Sequence, residues 1–177
     1  MNRDKSYLMW GCIDEKYCDL GIDGSLISLE IAQDVFPHFC YPANAKAIGT
    51  EGSILYCFIE SYGDMVFACN PESCADTYVY PLARTFDDFI ALILSCGSAN
   101  PVEQIVWMRK EHFSQHLDEE NAIRTEQQCE VLQQIQEQLG ILPMSDPYDY
   151  VKRLQSEFDD SRIEFSDEYY DVLGIER

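Results

Sequence analysis

His112 and His116 come nearest in type and spacing to a metal site. They lie four residues apart in the segment EHFSQH, so a helix would place both imidazoles on one face, which is half of a zinc site. The zincin signature has its glutamate between the two histidines as general base, whereas Glu111 precedes His112. Two histidines on a charged helix are more often exposed polar residues. We therefore predict no metal site and keep this pair as weak metal candidates.

Two cysteine arrangements could also carry chemistry. Cys69 and Cys74 are separated by four residues, but a zinc knuckle would need a second close pair of Cys or His, and none follows at suitable spacing. A disulfide or a redox role is the alternative for this pair. His38 and Cys40 are one residue apart, so a strand would place a base and a nucleophile on the same face. No orienting third residue or oxyanion element accompanies them. These cysteines are better interpreted as unrelated positions on strands and loops.

Carboxylates are so numerous, 32 in 177 residues, that pairs of them arise by chance. Glu60 and Asp64 flank a predicted hairpin turn and are more simply turn residues. The chain contains no Gly-rich phosphate loop, nucleophile elbow or kinase motif set. We therefore predict a protein that is not an enzyme, with no catalytic residue and no cofactor.

Tyrosines among carboxylates indicate protein recognition, because both side chains occur in hot spots that bind basic partners. The most suggestive cluster is Asp167-Glu168-Tyr169-Tyr170-Asp171. The alternative is that the tyrosines pack helices on a sheet with their hydroxyls at the rim. The candidate partner-binding residues are Tyr62, Asp64, Tyr148, Asp167, Glu168, Tyr169, Tyr170 and Asp171.

The charge balance favours a basic partner. There are 12 basic residues against the 32 acidic ones, which gives a formal net charge of -20, and the acids are spread along the whole chain. Such a field repels phosphate backbones, so we predict no direct binding to nucleic acid. It would speed the capture of a basic protein; the alternative is an acidic surface that serves only solubility.

Targeting signals are missing from the sequence. No apolar core follows the basic residues near Met1, and no apolar run approaches the roughly 20 residues of a membrane span. Cys57, Cys69 and Cys96 lie within apolar runs and are expected to be buried free thiols. These features predict a cytoplasmic protein without a membrane association.

The elements that would position these side chains begin with a meander. Its first two strands are joined by a turn at Ser61-Tyr62-Gly63, where Gly63 supplies a positive φ. A further strand is favoured over 26–31, and Gly49 to Gly52 is interpreted as another turn. The predicted meander strands are 54–60, 64–69 and 77–80, the last ending at Pro81.

Helical signals follow the strands. Thr85 with Asp88 forms a variant capping box, and Gly97 ends that helix. Asn100 is expected to cap the next helix. The remaining predicted helices are 100–108, 109–120, 126–139, one that opens at Asp146-Pro147 and a short one capped by Ser166.

Strands first and helices last predict an α+β fold, a mainly antiparallel meander sheet packed by helices. We expect a sheet core over 1–120 and a C-terminal helical extension over 121–177, packed together as one structural domain.

Six residues of the predicted meander and of the helix after it carry a resemblance to a known family. They are Gly63, Asp64, Ala83, Phe86, Phe89 and Ile90. A Gly-Asp between two strands, a third strand ending in Ala83 and a Phe-x-x-Phe helix are similar to the SUKH superfamily, over about residues 52–96. The family's early L-P-x-x-Y/F segment is absent before Leu26, and the helical region after Asn100 is longer than its minimal domain. The superfamily includes the Smi/Knr-type cell-wall regulators of fungi and many bacterial immunity proteins.

The resemblance implies binding, namely neutralisation of a toxin, often a nuclease, by an immunity protein. We expect an acidic, tyrosine-bearing surface to occlude the basic face of such a toxin. Two alternatives remain open. One is a metal-binding or hydrolytic protein that uses His112 and His116; the other is a structural module that forms homo-oligomers.

Overall fold

A four-stranded antiparallel sheet is the centre of the fold in a computed structural model, which describes residues 13–17, 20–30, 39–73 and 77–176. Its strands are β1 (Ala45–Glu51), β2 (Ile54–Ile59), β3 (Val66–Cys69) and β4 (Val79–Ala83). They lie side by side in chain order, so the sheet is a meander. Together with the helices described below, it confirms the predicted α+β class.

The β2–β3 connection confirms the predicted turn. A 3-10 helix covers Glu60–Tyr62, and Gly63 follows with φ +64°, a conformation that glycine adopts without a Cβ penalty. Leu55 to Phe58 of β2 pair with Cys69 to Val66 of β3 in continuous antiparallel register.

The last meander strand extends further than predicted. It includes Pro81 and ends at Ala83, and a register irregularity lies between Val66 and Phe67 of β3 where β4 pairs with it. Proline is tolerated on an edge strand because its missing N–H can face away from the neighbour. Ending the strand at Pro81 was therefore wrong.

The two predictions before β2 were also wrong. Residues 24–27 form a 3-10 helix instead of a strand, because the Asp23 carboxylate accepts the amide N–H of Ser25 at 3.0 Å and starts a tight turn. Gly49 belongs to β1, at an irregularity in the pairing with β2, and the turn itself lies at Gly52. A Cβ on Gly49 would come within 2.8 Å of the Glu30 carbonyl oxygen, so glycine permits close approach of two backbones there.

Six α-helices follow the sheet in the described part of the chain. They are α1 (Phe86–Cys96), α2 (Ala99–Gln104), α3 (Lys110–Ile123), α4 (Glu126–Leu139), α5 (Pro147–Ser156) and α6 (Asp167–Leu173). The predicted caps Thr85, Asp146 and Ser166 each accept a backbone N–H, and Gly97 and Gly140 end α1 and α4 in the left-handed region.

The start of α2 differs from the prediction. Its N-cap is Ser98, whose extended backbone follows Gly97 directly, so Asn100 lies inside the first turn.

The Asp88 carboxylate accepts the Tyr150 hydroxyl at 2.8 Å, which ties α1 to α5.

The sheet is covered on both faces. On one face, Tyr56, Ala68 and Leu82 share a core with α1, α2, α4 and α5. On the other, Cys57 and Phe67 belong to a second cluster packed by Phe158, Ile163 and Phe165. These three side chains come from an irregular segment, residues 158–165, which we call the C-terminal arm.

Among the described residues, no helix has both the length and the apolar character that crossing a membrane requires.

Candidate functional site

The histidine pair lies on α3 as predicted, but no site is assembled around it. The side chain of His112 is exposed and that of His116 is half-buried. No group of three or more His, Cys, Asp or Glu side chains with a metal-binding arrangement occurs within the described residues. Nothing in this part of the chain adds the ligands that the pair would need.

The cysteines are placed as apolar residues. Cys57 and Cys69 are buried in the second cluster, where burial raises the pKa of Cys57 to about 12 and that of Cys69 further still. Burial also raises the pKa of the half-buried Cys40, which keeps its sulfur protonated and weakly nucleophilic. The predicted partners His38 and Cys74 lie outside the described residues.

Tyr62 anchors the C-terminal arm. Its hydroxyl donates to the Asp159 carbonyl oxygen at 2.8 Å and accepts the Arg162 amide N–H at 3.2 Å. Its ring contacts Phe67 and Phe158, and the Arg162 guanidinium lies 4.3 Å above the ring centroid. Tyr62 is therefore engaged within the chain, as the packing alternative predicted.

Tyr148 is engaged in the same way, far along the chain from Tyr62. Its hydroxyl donates to the Met108 carbonyl oxygen at 3.0 Å, and its ring packs against Phe113. The ammonium groups of Lys110 and Lys152 lie 5.8 and 5.6 Å from the ring centroid. This tyrosine joins α5 to α3 and to the segment before it.

The cluster at residues 167–171 forms α6, which is docked through its tyrosines. The Tyr169 ring stacks on Phe165 at 4.2 Å with an interplanar angle of 17°, and Tyr170 packs edge-on against Tyr169. Phe165 in turn is bridged to Pro42 and packs on the second sheet face. The tyrosines therefore position the helix, and its carboxylates point outward.

Exposed carboxylates and exposed apolar side chains meet on this helix, a combination that sequence reasoning missed. Val172, Leu173 and Ile175 are 58%, 49% and 48% exposed. We call these three residues, together with the exposed carboxylates of Asp167, Glu168 and Asp171, the α6 patch. The signal was present in the sequence, since D-V-L-G-I continues the acidic cluster with apolar residues.

The α6 patch belongs to a segment that is especially rich in acids. Residues 157–176 contain eight acids and one base, Arg162. Several cations are engaged by their own chain: salt bridges join Lys16 to Asp87, Arg84 to Glu157 and Lys110 to Asp149. Arg124, Lys152 and Arg162 donate to the backbone carbonyl oxygens of Cys96, Val106 and Ser61.

A buried carboxylate was also missed. Glu103 on α2 is fully buried and accepts hydrogen bonds from the side chains of Asn70, Gln104 and Trp107 at 3.1, 2.9 and 2.9 Å. Trp107, four residues on, was the available signal, because i and i+4 side chains meet on a helix.

Glu51 lies on the same side of the core. The Tyr56 hydroxyl donates to its carboxylate at 3.3 Å, and burial raises the pKa of Glu51, with the charge of Glu103 adding to the effect. Three donors already occupy Glu103, so we interpret this polar group as structural.

No family model, curated protein or solved structure matches the chain. Function is therefore inferred from the contacts and charges of this chain alone.

Proposed function

We propose that this protein is a non-enzymatic binding protein that covers the basic face of a protein partner with the α6 patch. Its resemblance to the SUKH superfamily suggests an immunity role against a nuclease-type toxin. The observation that carries the proposal is the presence of three exposed apolar side chains, Val172, Leu173 and Ile175, within the most acidic segment of the chain.

The composition of the α6 patch supports an interface. Protein-binding surfaces combine an apolar centre, which supplies affinity, with a polar rim that selects the partner. Here the apolar side chains stand beside Asp167, Glu168 and Asp171, so the favoured partner presents Lys and Arg around an apolar spot. Contiguous exposed apolar area on a charged helix is typical of a surface that another molecule covers.

The charge of the whole molecule supports the same partner. Its net charge of -20 steers a basic protein toward the surface, and this attraction weakens as salt screens it. A nuclease needs a basic face to hold phosphates, and an acidic protein on that face would exclude nucleic acid. Cys57, Cys69, Cys96 and Cys129 are free thiols, which supports a reducing cytoplasm as the compartment.

The test compares two double variants of the chain. Val172→Ser/Leu173→Ser removes apolar area from α6, and Ile123→Ser/Leu142→Ser removes two apolar side chains elsewhere that are more exposed than those of α6. The partner that the wild-type chain captures from the native cell is purified and identified, and its affinity for each variant is measured by calorimetry at low and at moderate salt. The partner's nucleic-acid cleavage is then assayed with each variant present.

We expect the α6 variant to weaken binding at least about tenfold and to lose inhibition, whereas the control binds as the wild type does. A partner that is neutral or acidic, or equal affinity of both variants, would overturn the proposal. Sedimentation that shows a dimer of this chain, dissociated only by the α6 variant, would assign the patch to self-association instead.

A further inference from the structure

A second surface feature lies where the meander turns, on the helical face of the sheet. A cavity of about 440 Å³ is lined by Phe58 and Ile13 together with the polar side chains of Asn44, Lys46, Glu60 and Asp64. Its volume lies within the range of roughly 300–1,000 Å³ that is typical of ligand pockets. Asp64 is one of the predicted partner-binding residues.

The aromatic ring of Phe58 forms part of the cavity wall. Lys46 of β1 and Phe58 of β2 are direct cross-strand partners, so both side chains project on the same face of the sheet. Phe58 is held from below by Phe86, with ring centroids 6.2 Å apart, and remains half-buried. The ring of Phe58 thus offers a fixed surface to a ligand that enters the cavity.

A smaller cavity of about 230 Å³ adjoins the first and shares Ile13, Phe58 and Asp64 with it. It contains Asp14, and its Lys16 ammonium lies 2.8 Å from Asp87, so those two charges are paired. Among the described residues that line the two cavities, Asp14, Glu60 and Asp64 therefore face one further cation, Lys46. The local balance favours a positively charged ligand.

We infer that this groove receives an arginine side chain of the basic partner. A planar guanidinium can stack on the Phe58 ring while its N–H groups donate to the carboxylates of Glu60 and Asp64. Lysine fits less well, because its compact ammonium neither stacks as a plane nor forms paired hydrogen bonds. This inference rests on the proposed function, since it names the partner group that a second contact point would hold.

The test uses a small probe in place of the partner. N-acetyl-arginine amide is titrated into the isotope-labelled full chain, and backbone amide shifts are followed by NMR. We expect low-millimolar binding with shifts confined to the residues that line the groove. N-acetyl-citrulline amide has the same shape without the charge and is expected to cause no saturable shift.

Two charge variants separate the groove from the general field. Glu60→Gln/Asp64→Asn is expected to weaken probe binding about tenfold, whereas Asp167→Asn/Asp171→Asn, with the same change in net charge, leaves it unchanged. Equal loss in both variants, equal binding of the lysine analogue, or shifts scattered over the surface would overturn the inference.

The outcomes also distinguish the two proposals. If the probe does not bind while the α6 variant still loses the partner, the arginine groove is rejected and the α6 interface stands. If the probe binds at the groove while the α6 and control variants bind the partner equally, the interface is rejected and the groove stands.

Discussion

Glu103 is the only buried charged residue in the described core, and its three donors decide what its loss would do. Glu103→Ala removes the acceptor of the Asn70 amide and the Trp107 indole. Because each hydrogen bond contributes about 0.5–1.5 kcal/mol net, we expect the loss of these two bonds to lower the free energy of unfolding by about 1–3 kcal/mol. Urea denaturation followed by tryptophan fluorescence measures the change.

A conservative variant checks the physical reason. Glu103→Gln keeps a side chain of the same length with one acceptor oxygen, so it should lose less stability than Glu103→Ala. Equal losses in the two variants would mean that keeping one acceptor oxygen preserves no stability, and hydrogen bonding to that oxygen would be rejected as the reason.

Glu51 gives a pH-dependent prediction. Burial raises its pKa in the folded chain above the value of the unfolded chain, so the folded state binds the proton more tightly. Stability contributed by the protonated form is then present below the unfolded pKa and is lost as the pH rises through the folded pKa. At neutral pH the folded chain must hold an ionised, partly buried carboxylate.

Glu51→Gln removes that ionisation and keeps a side-chain oxygen for the Tyr56 hydroxyl. We expect the difference in Tm between this variant and the wild type to be more positive at about pH 7.5 than at about pH 4. Thermal unfolding followed by circular dichroism at both pH values measures it. A difference that is the same at both values, or larger in acid, would contradict the assignment.

The sequence identifies candidate residues by their type, but it does not identify the groups that their side chains contact in the folded chain. Tyr62 and Tyr148 were predicted as candidates for partner binding, yet the hydroxyl of Tyr62 bonds to Asp159, 97 residues away. Only the folded chain reveals that such a hydroxyl is already occupied. The carboxylates of α6 were easier, because a short helix with Tyr169 and Tyr170 inward must point its acids outward.

At the scale of elements, local signals were sufficient for most helices. Thr85, Asp146 and Ser166 begin helices where capping chemistry predicts, and Gly140 ends one. Strand β1 was missed because its Gly49 resembles a turn residue, whereas it serves a close approach to Glu30. That approach joins segments distant in sequence, so no local pattern reveals it.

The C-terminal arm depends on Tyr62 for its place on the sheet. Tyr62→Phe keeps the ring contacts with Phe67 and Phe158 but removes the hydroxyl that bonds Asp159 and Arg162. We expect a loss of about 0.5–1.5 kcal/mol in the free energy of unfolding and faster tryptic cleavage after Arg162, because the arm opens more often. Timed proteolysis with mass spectrometry measures the rate at that bond.

Tyr148→Phe is the matched control, since it also removes one tyrosine hydroxyl bonded to a carbonyl oxygen, that of Met108. It should lower global stability without selectively accelerating cleavage after Arg162. Equal acceleration in both variants would show that cleavage follows global unfolding, and the local role of Tyr62 would be rejected.

At the scale of the whole molecule, composition predicted the net charge of the surface but not where acidic and apolar side chains meet on it. The net charge of -20 and the spread of acids along the chain are visible in the sequence. Their convergence with Val172, Leu173 and Ile175 is not, because it depends on α6 being anchored by Phe165 and Tyr169. The covered second sheet face likewise depends on the arm returning to β2 and β3 from the end of α5.

The unbalanced charge sets opposite salt responses for folding and for binding. Folding brings repelling carboxylates together, and the ion pairs of Lys16, Arg84 and Lys110 are exposed, so each contributes little to stability. Screening should therefore relieve more repulsion than it removes attraction, and Tm should rise between about 20 mM and about 300 mM NaCl. Differential scanning calorimetry measures this, and the same titration should weaken the complex with a basic partner.

A variant with fewer acids tests the cause of the rise. Glu111→Gln/Asp118→Asn/Asp167→Asn/Asp171→Asn changes the net charge from -20 to about -16 and alters only exposed side chains. Its Tm should rise less steeply with salt than that of the wild type, because less repulsion remains to be screened. A wild-type Tm that falls with salt would mean that the native ion pairs outweigh the repulsion. Equal slopes in the two chains would assign the rise to ion effects other than screening.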